Sequence, residues 1–401
     1  MIKNISIQNF FSFGNASYTR VLNNEVSVLV GINGSGKSNF IRAIQLLYDG
    51  IAGIGFEKIF STNWGSFSSV SNLTNELDEI ILTYQFDKKA LSNVLNQQGF
   101  DFQTDPYYRI RIKKNGKSYL LNECIYDETE PTNPITHLNS EYGEIEILNK
   151  NGALSKLKNA TVYNPNELIL RQLSDAEQQY SLFTIKKAIE QISIYNYFDT
   201  TAKSPIRELS PYYSETKLLT DGINLTFLLN YLNGNETVAY DKIIEELKNV
   251  NPNFRELVFS QPTSGKTLLG LKEKNLKSTI SIENLSDGTI RFLILLAILY
   301  NPNRGNLVCI DEPEIGLHPD MINTIAKGIK HAANTGTQMI VATHSPLLLN
   351  NFDLEDLMIF EKNTNNCTDV RKIREANFKE WEGEFLVGQM WLSGKLGGVR
   401  W

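Results

Sequence analysis

Two kinds of apolar pattern alternate along the chain. Apolar residues alternate with polar ones over Glu79 to Phe86, recur through Ile2 to Ile7, close into a run over Val26 to Val30, and return as Phe40, Ile41, Ile44, Leu47 and Tyr48 until Gly50. A period of two predicts strands with one covered face, the closed run predicts a buried strand, and the i, i+3, i+4 spacing predicts an amphipathic helix. Mixed strands around one helix are therefore expected at the start of the chain. A β-rich section should follow, because Tyr107 to Lys113 and Ser118 to Ile125 flank Lys-Asn-Gly, a hairpin signal, and Gly143 to Leu148 reads as a further strand. Asp127 to Asn139, rich in Pro, Thr, Asn and Glu, reads as a surface loop.

From Asp175 to Val250 the pattern turns helical, most clearly in Asp221 to Leu232 and Tyr240 to Leu247, without the sustained heptads of long coiled-coil arms. Thr289 to Tyr300 is apolar nearly all round and stops at Asn301-Pro302, which predicts a buried helix. Leu307 to Ile310 and Gln338 to Ala342 read as buried strands delivering Asp311-Glu312 and Thr343-His344, with a helix over Ile322 to Ala333 between them. Leu357 to Glu361 and Thr368 to Ile373 read as closing strands. Strand ends carrying polar residues, alternating with helices, describe an α/β fold with a parallel sheet and a site at its carboxyl edge.

The strand-loop-helix that begins at Val26 carries the first chemistry. Gly31 to Ser38 reads GINGSGKS and fits G-x-x-x-x-G-K-[ST], a phosphate-binding loop. Gly31, Gly34 and Gly36 let backbone N–H groups approach phosphate oxygens, with Asn33, Ser35 and Asn39 in the same turn. Lys37 reaches the outer phosphates, and Ser38 offers a hydroxyl to Mg²⁺ where the helix starts. Binding of a nucleoside triphosphate with Mg²⁺ follows.

Composition narrows the setting. The three cysteines, Cys124, Cys309 and Cys367, lie far apart without C-x-x-C spacing, which argues against a disulfide framework or zinc site and suits a reducing cytoplasm. The longest apolar run, Phe292 to Tyr300, is too short to span a bilayer, and no N-terminal signal is present, so a cytoplasmic protein without a membrane partner is expected. The net charge of -6 does not indicate DNA binding, although DNA stays possible through a local patch. Lys266, Lys272, Lys274 and Lys277 form one cluster, and Arg109, Arg111, Lys113, Lys114 and Lys117 another. Neither is interleaved with stacking aromatics, so both read as solvated faces.

Four further segments fall in a telling order: LSDGT at Leu285 to Thr289, LVCIDEP at Leu307 to Pro313, EIGLHP at Glu314 to Pro319, and THSP at Thr343 to Pro346. Together with the phosphate loop they resemble the ABC-type ATPase set of signature, Walker B strand, D-loop and switch histidine. The resemblance implies an ABC-type P-loop ATPase head with a β-rich subdomain and a helical insert, and ATP as the bound triphosphate. Its first lobe would cover residues 1–170, a mainly helical insert 171–280, and a second lobe 281–401. It also implies that Asp311 holds Mg²⁺, that Glu312 activates the attacking water, and that His344 contacts the γ-phosphate. Ser-Asp-Gly alone reads as a helix N-cap. Beside the other motifs, the resemblance makes Ser286 and Gly288 a contact to the nucleotide of a second subunit, in a head-to-tail homodimer.

The opening IKNISIQNFFSF, the DEPE and GLHP segments and Asp221 to Leu225 are similar to SMC-, RecF- and OLD-like stand-alone ATPases. Members of that group occur in anti-phage systems such as Septu, PARIS and retron-linked operons, and the resemblance implies a separately encoded effector, a nuclease or toxin. Departures stand beside it. Phe11 occupies a position that is often basic, and His318 replaces the transporter D-loop aspartate. No glutamine follows the strand expected over Ala160 to Tyr163, so Asn164 and Asn166 are the nearest candidates for the Q-loop contact to Mg²⁺, ahead of Gln85. OLD-type nucleases append a TOPRIM domain, whereas 57 residues (401 minus 344) follow His344, and no nuclease chemistry is expected from them. Trp391 and Trp401 flank Gly394, Gly397 and Gly398, an ending that either docks a partner or packs on its own fold. Two functions stay open: an ATP-controlled switch for an effector, and a RecF/SMC-like DNA clamp in repair or maintenance.

Overall fold

The computed structural model describes residues 1–15, 18–74, 77–94, 102–116, 118–128, 134–141, 143–148, 152–156, 163–173, 180–373 and 386–397. The chain forms two compact units. One comprises Met1–Asn24, Gly31–Ile192 and Ile359–Arg371, the other Glu25–Val30, Ser193–Met358 and Lys372–Trp401.

The first unit is built on an antiparallel sheet. Its strands run Tyr18–Val21, Ile2–Gln8, Glu79–Phe86, Tyr107–Asn115, Ser118–Asp127, Ile135–Glu141, Glu144–Leu148, Leu154–Lys156 in spatial order. Along Glu79–Phe86 the pattern is strictly alternating: Ile80, Leu82, Tyr84 and Phe86 are buried and their neighbours are not. The hairpin at Asn115 and Ser118 forms as the Lys-Asn-Gly signal requires, with Gly116 at φ 60°. The helix Lys37–Ile51 buries Phe40, Ile41, Ala43, Ile44, Leu46 and Leu47, and the buried Tyr84 hydroxyl donates to Ala43 O at 2.6 Å.

The early strands and the later β-rich section share one sheet, because Glu79–Phe86 pairs directly with Tyr107–Asn115. One expectation fails in this unit. The loop expected over Asp127 to Asn139 contains the strand Ile135–Glu141, paired on both sides. Its sequence, ITHLNSE, is too polar to announce a strand, yet His137, Leu138 and Ser140 are buried.

In the second unit the parallel strands Leu307–Asp311, Gln338–Thr343 and Val26–Val30 lie side by side. All but Asp311 are fully buried positions, which explains their unbroken apolar runs. The helices Asp287–Tyr300 and Pro319–Asn334 belong to this unit, and the former is buried over Ile290 and Phe292 to Tyr300, as its sequence predicts.

The stretch expected to be helical from Asp175 to Val250 is mixed. It holds helices Tyr180–Glu190, Leu225–Asn235 and Thr237–Val250, but Ile192–Tyr195 is a strand beside Leu307–Asp311. A helix does not start at Asp221, because Gly222 turns the chain at φ 75° and the first helical residue is Leu225. Beyond Val250 the insert forms the hairpin Phe254–Thr263 and Lys266–Glu273. The strand expected over Ala160 to Tyr163 lies, except for Tyr163, outside the described residues, as do Lys117, Gly398 and Trp401. Trp391 is buried in the helix Val387–Leu392, whose Gly388 N–H donates to Asn350 Oδ1 at 2.8 Å, so this part of the tail packs on its own unit. Among the described residues no helix is long and apolar enough to cross a membrane.

Candidate nucleotide site

Strand register fixes where the chemistry emerges. Asp311 pairs with Ala342 and Thr343 pairs with Val30, so three parallel strands end abreast. Just past the ends of Leu307–Asp311 and Gln338–Thr343 stand Glu312 and His344, the carboxyl-edge placement expected for an α/β sheet.

The loop is built around its glycines. Gly36 has φ 111°, and a Cβ there would overlap Thr368 Oγ1 and stand 2.8 Å from Ser12 Oγ. Gly31 faces Phe360 O, 2.6 Å from where its Cβ would lie, whereas Gly34, at φ 80°, has open space around it. Lys37 is buried and its Nζ donates to Gly31 O at 2.7 Å and Ile32 O at 3.2 Å, which folds the loop around the ammonium group. Ser35 is buried, while Asn33 and Ser38 are exposed. Backbone N–H groups at a helix start, a lysine and left-handed glycines make a cradle that fits phosphate oxygens.

Sequence reading misses the hydroxyl network behind the loop. Thr368 Oγ1 donates to Ser35 O at 2.8 Å and lies 2.7 Å from Ser12 Oγ, which accepts from Asn39 Nδ2 at 2.8 Å. No motif marks Ser12 or Thr368. Arg42, whose guanidinium sits 4.9 Å from the centre of the Phe11 ring and donates to Asn39 Oδ1 at 3.1 Å, places a positive charge beside the residue that lacks one.

At the other strand ends, Glu312 has the left-handed φ of 50° and its N–H donates to Ala342 O at 2.8 Å. His344 Nδ1 stands 3.1 Å from Glu312 Oε1. When the carboxylate is ionised it can only accept, and Nδ1 is then the donor of that bond. Glu314 braces the pair from below: its Oε1 accepts from the Thr343 hydroxyl and from His344 N at 3.3 Å, and it is 9% exposed. Its part is hidden in the sequence because it is one of three acids in DEPE. His318 caps the helix Pro319–Asn334, its Nδ1 accepting from Asp320 N at 3.4 Å.

Ser286 is the N-cap of Asp287–Tyr300, accepting from Thr289 N at 3.1 Å. Gly288 is needed for close approach, since a Cβ would stand 2.8 Å from Gly316 O. Asn164 Oδ1 accepts from Asn166 N at 3.0 Å in a local turn, and Gln85 Oε1 accepts from Asn4. Behind that turn, Glu123 is wholly buried, accepting from Tyr108 Oη at 2.6 Å and from the N–H groups of Ile169 and Leu170. Burial pushes its carboxyl up to about 7 against those hydrogen bonds.

One reading of the basic clusters needs correction. Arg109 does have aromatic company: its guanidinium lies 5.1 Å from the centre of the Tyr126 ring, which stacks on Tyr107 at 5.2 Å. These side chains line a cleft of about 410 Å³ on the first unit. Cross-strand pairing of Tyr107 with Tyr126 brings them together, a relationship that spacing along the chain conceals.

Over residues 26–119 and 153–350 the sequence matches the family described as AAA domain, putative AbiEii toxin, Type IV TA system. The chain belongs to that family. Within curated proteins, this AbiEii-type AAA chain is 22% identical over 361 residues to the Old nuclease of Escherichia phage P2. The match covers 87% of the chain but 57% of the relative, so the chain spans little more than half the length of that nuclease. Among solved structures it is similar to an SMC head bound to the C-terminal winged-helix domain of ScpA, at 15% identity and a TM-score of 0.58, covering 94% of this chain and 99% of that one. It is also similar to the Smc head with an extended coiled coil, bound to the C-terminal domain of ScpA, from Pyrococcus furiosus. There the identity is 13% and the TM-score 0.54, covering 96% and 98%. The AbiEii-type AAA chain thus has the α/β fold of SMC-type ATPase heads, in agreement with the resemblance read from its motifs.

Proposed function

We propose that this AbiEii-type AAA chain hydrolyses ATP in a head-to-tail homodimer and acts as a nucleotide-controlled switch for a separately encoded effector in anti-phage defence. The observation that carries the reading is the Glu312–His344 pair, 3.1 Å apart at the end of parallel strands that also lead into the phosphate loop. Gly31 to Ser38, with Asn39, binds the triphosphate, and Lys37 balances its outer charge. Hydroxyl and carboxylate oxygens from Ser38 and Asp311 are hard donors that fit Mg²⁺, with Asn164 or Asn166 supplying a further oxygen. When bound, that ion neutralises phosphate oxygens. Glu312 takes the proton of the attacking water at a carboxylate oxygen, and His344 orients that carboxylate and meets the γ-phosphate. Ser286 and Gly288 present a helix start to the nucleotide of the second copy. Effector chemistry is assigned to another polypeptide, and the residues after His344 are assigned to the ATPase.

Light scattering with ATP tests the core of this proposal. Glu312→Gln should accumulate as a dimer, and a monomer at saturating ATP would remove the sandwich. Co-purification from the native operon with mass spectrometry should recover an effector. Tight, salt-steep DNA binding by the purified chain, with no protein retained, would replace the switch with the DNA clamp.

A further inference from the structure

Arg207 makes an unusual set of contacts for a residue outside every motif. It is 5% exposed, and its guanidinium donates to the carbonyls of Ile282 and Glu283 at 3.1 Å each, Leu285 at 2.7 Å, Thr200 at 2.8 Å and Thr201 at 3.0 Å. It also reaches Asp287 Oδ1 at 2.5 Å. Three of these partners lead directly into Ser286, and Asp287 follows it. Thr200 is shared with a second arginine, for its hydroxyl accepts from Arg291 Nε at 3.2 Å while Arg291 Nη1 donates to Ile315 O at 3.1 Å. Gly316 O, next along, is the atom that forbids a side chain at Gly288.

We infer that Arg207 is a positioning residue: with Thr200 and Arg291 it clamps the turn over Leu285 to Thr289 and the loop over Glu314 to Pro319 into one rigid surface. The inference rests on the dimer reading for what that surface meets, but not for the clamp itself. A buried guanidinium with its donors spread over five carbonyls and a carboxylate has one orientation that satisfies them all. Arg207 and Arg291 share Thr200, so the two loops are fixed to a single anchor and shift together.

Amide hydrogen exchange of the full-length chain, compared among wild type, Arg207→Lys and Asp287→Asn, tests the clamp. Lysine keeps the charge but cannot span the carbonyls, and exchange should rise roughly tenfold over 282–289 and also over 314–317, with the strand Leu307–Asp311 unchanged. Asp287→Asn leaves every backbone contact of Arg207 in place and should give the same pattern more weakly, so a misfolded Arg207 variant does not end the test. In turnover assays Arg207→Lys should lower kcat about tenfold while ATP binding to the isolated subunit stays constant, the split expected when a contact made outside the binding step is lost. Faster exchange confined to 282–289, or unchanged exchange in both segments, overturns the clamp. Wild-type protein that stays monomeric with ATP overturns the dimer reading and leaves the exchange result to decide the clamp.

Discussion

His344 and Glu312 lie 32 positions apart in sequence, yet their Nδ1 and Oε1 atoms stand 3.1 Å apart. The parallel pairing of Leu307–Asp311 with Gln338–Thr343 produces this, because the residue following each strand emerges at the same edge. Glu312→Gln removes the carboxylate proposed as the base and should slow turnover about 10²- to 10⁴-fold with ATP binding retained. His344→Ala should lower kcat with little change in KM. Steady-state phosphate release checks both, and wild-type rates in Glu312→Gln would take the general base away from this residue.

Glu314 is the hinge of that pair. Glu314→Ala would leave the buried Thr343 hydroxyl and the His344 N–H without their acceptor, at a cost of about 1–3 kcal/mol in stability. It should also lower kcat, because His344 loses its backbone anchor. Chemical denaturation and turnover on the same preparation read both effects, and a stable, fully active variant would show that the contact is dispensable.

The phosphate loop predicts a contrast between two substitutions. Lys37→Ala should abolish nucleotide binding in titrations while the fold persists. Gly36→Ala forces a side chain into the left-handed region and against Thr368 and Ser12, and should destabilise the protein by roughly 1–3 kcal/mol. An equally stable Gly36→Ala protein would mean that the backbone there relaxes freely.

Glu123 gives a pH signature. Its carboxyl is raised from 4.5 to about 7 in the folded chain, so the native state holds a proton that the unfolded chain has released. Its contribution to stability is complete below pH 4.5 and falls by about 3 kcal/mol as pH rises through 7. Glu123→Gln should flatten this slope and gain on wild type at pH 8 relative to pH 5. Urea unfolding at the two pH values checks it, and parallel pH profiles would place the titration elsewhere.

The legible and illegible parts of the chain differ in physical kind. Gly31 to Ser38, Asp311-Glu312 and His344 could be read because each is a short run whose residue types answer to one chemistry, set at the end of an apolar strand. Thr368, Ser12 and Arg207 could not, since common polar residues acquire their roles only when distant segments meet. The strands Ile192–Tyr195 and Ile135–Glu141 escaped for a related reason: one is a four-residue run inside helical periodicity, and the other is defined by its neighbours on both sides. The surprise at Arg109 is similar, for it needed the register of Tyr107 against Tyr126.

The division of the chain carries a consequence for how this protein can be altered. Each compact unit draws on three separate stretches, and the boundary at Val30 and Gly31 falls at the mouth of the phosphate loop. A single break anywhere from residue 24 to residue 372 therefore leaves at least one unit with its pieces on both fragments. Neither is one continuous segment, so a truncation that keeps all of one unit keeps part of the other. Insertions are better placed at turns such as Gly116 or Gly265, where both flanking strands stay in the same unit.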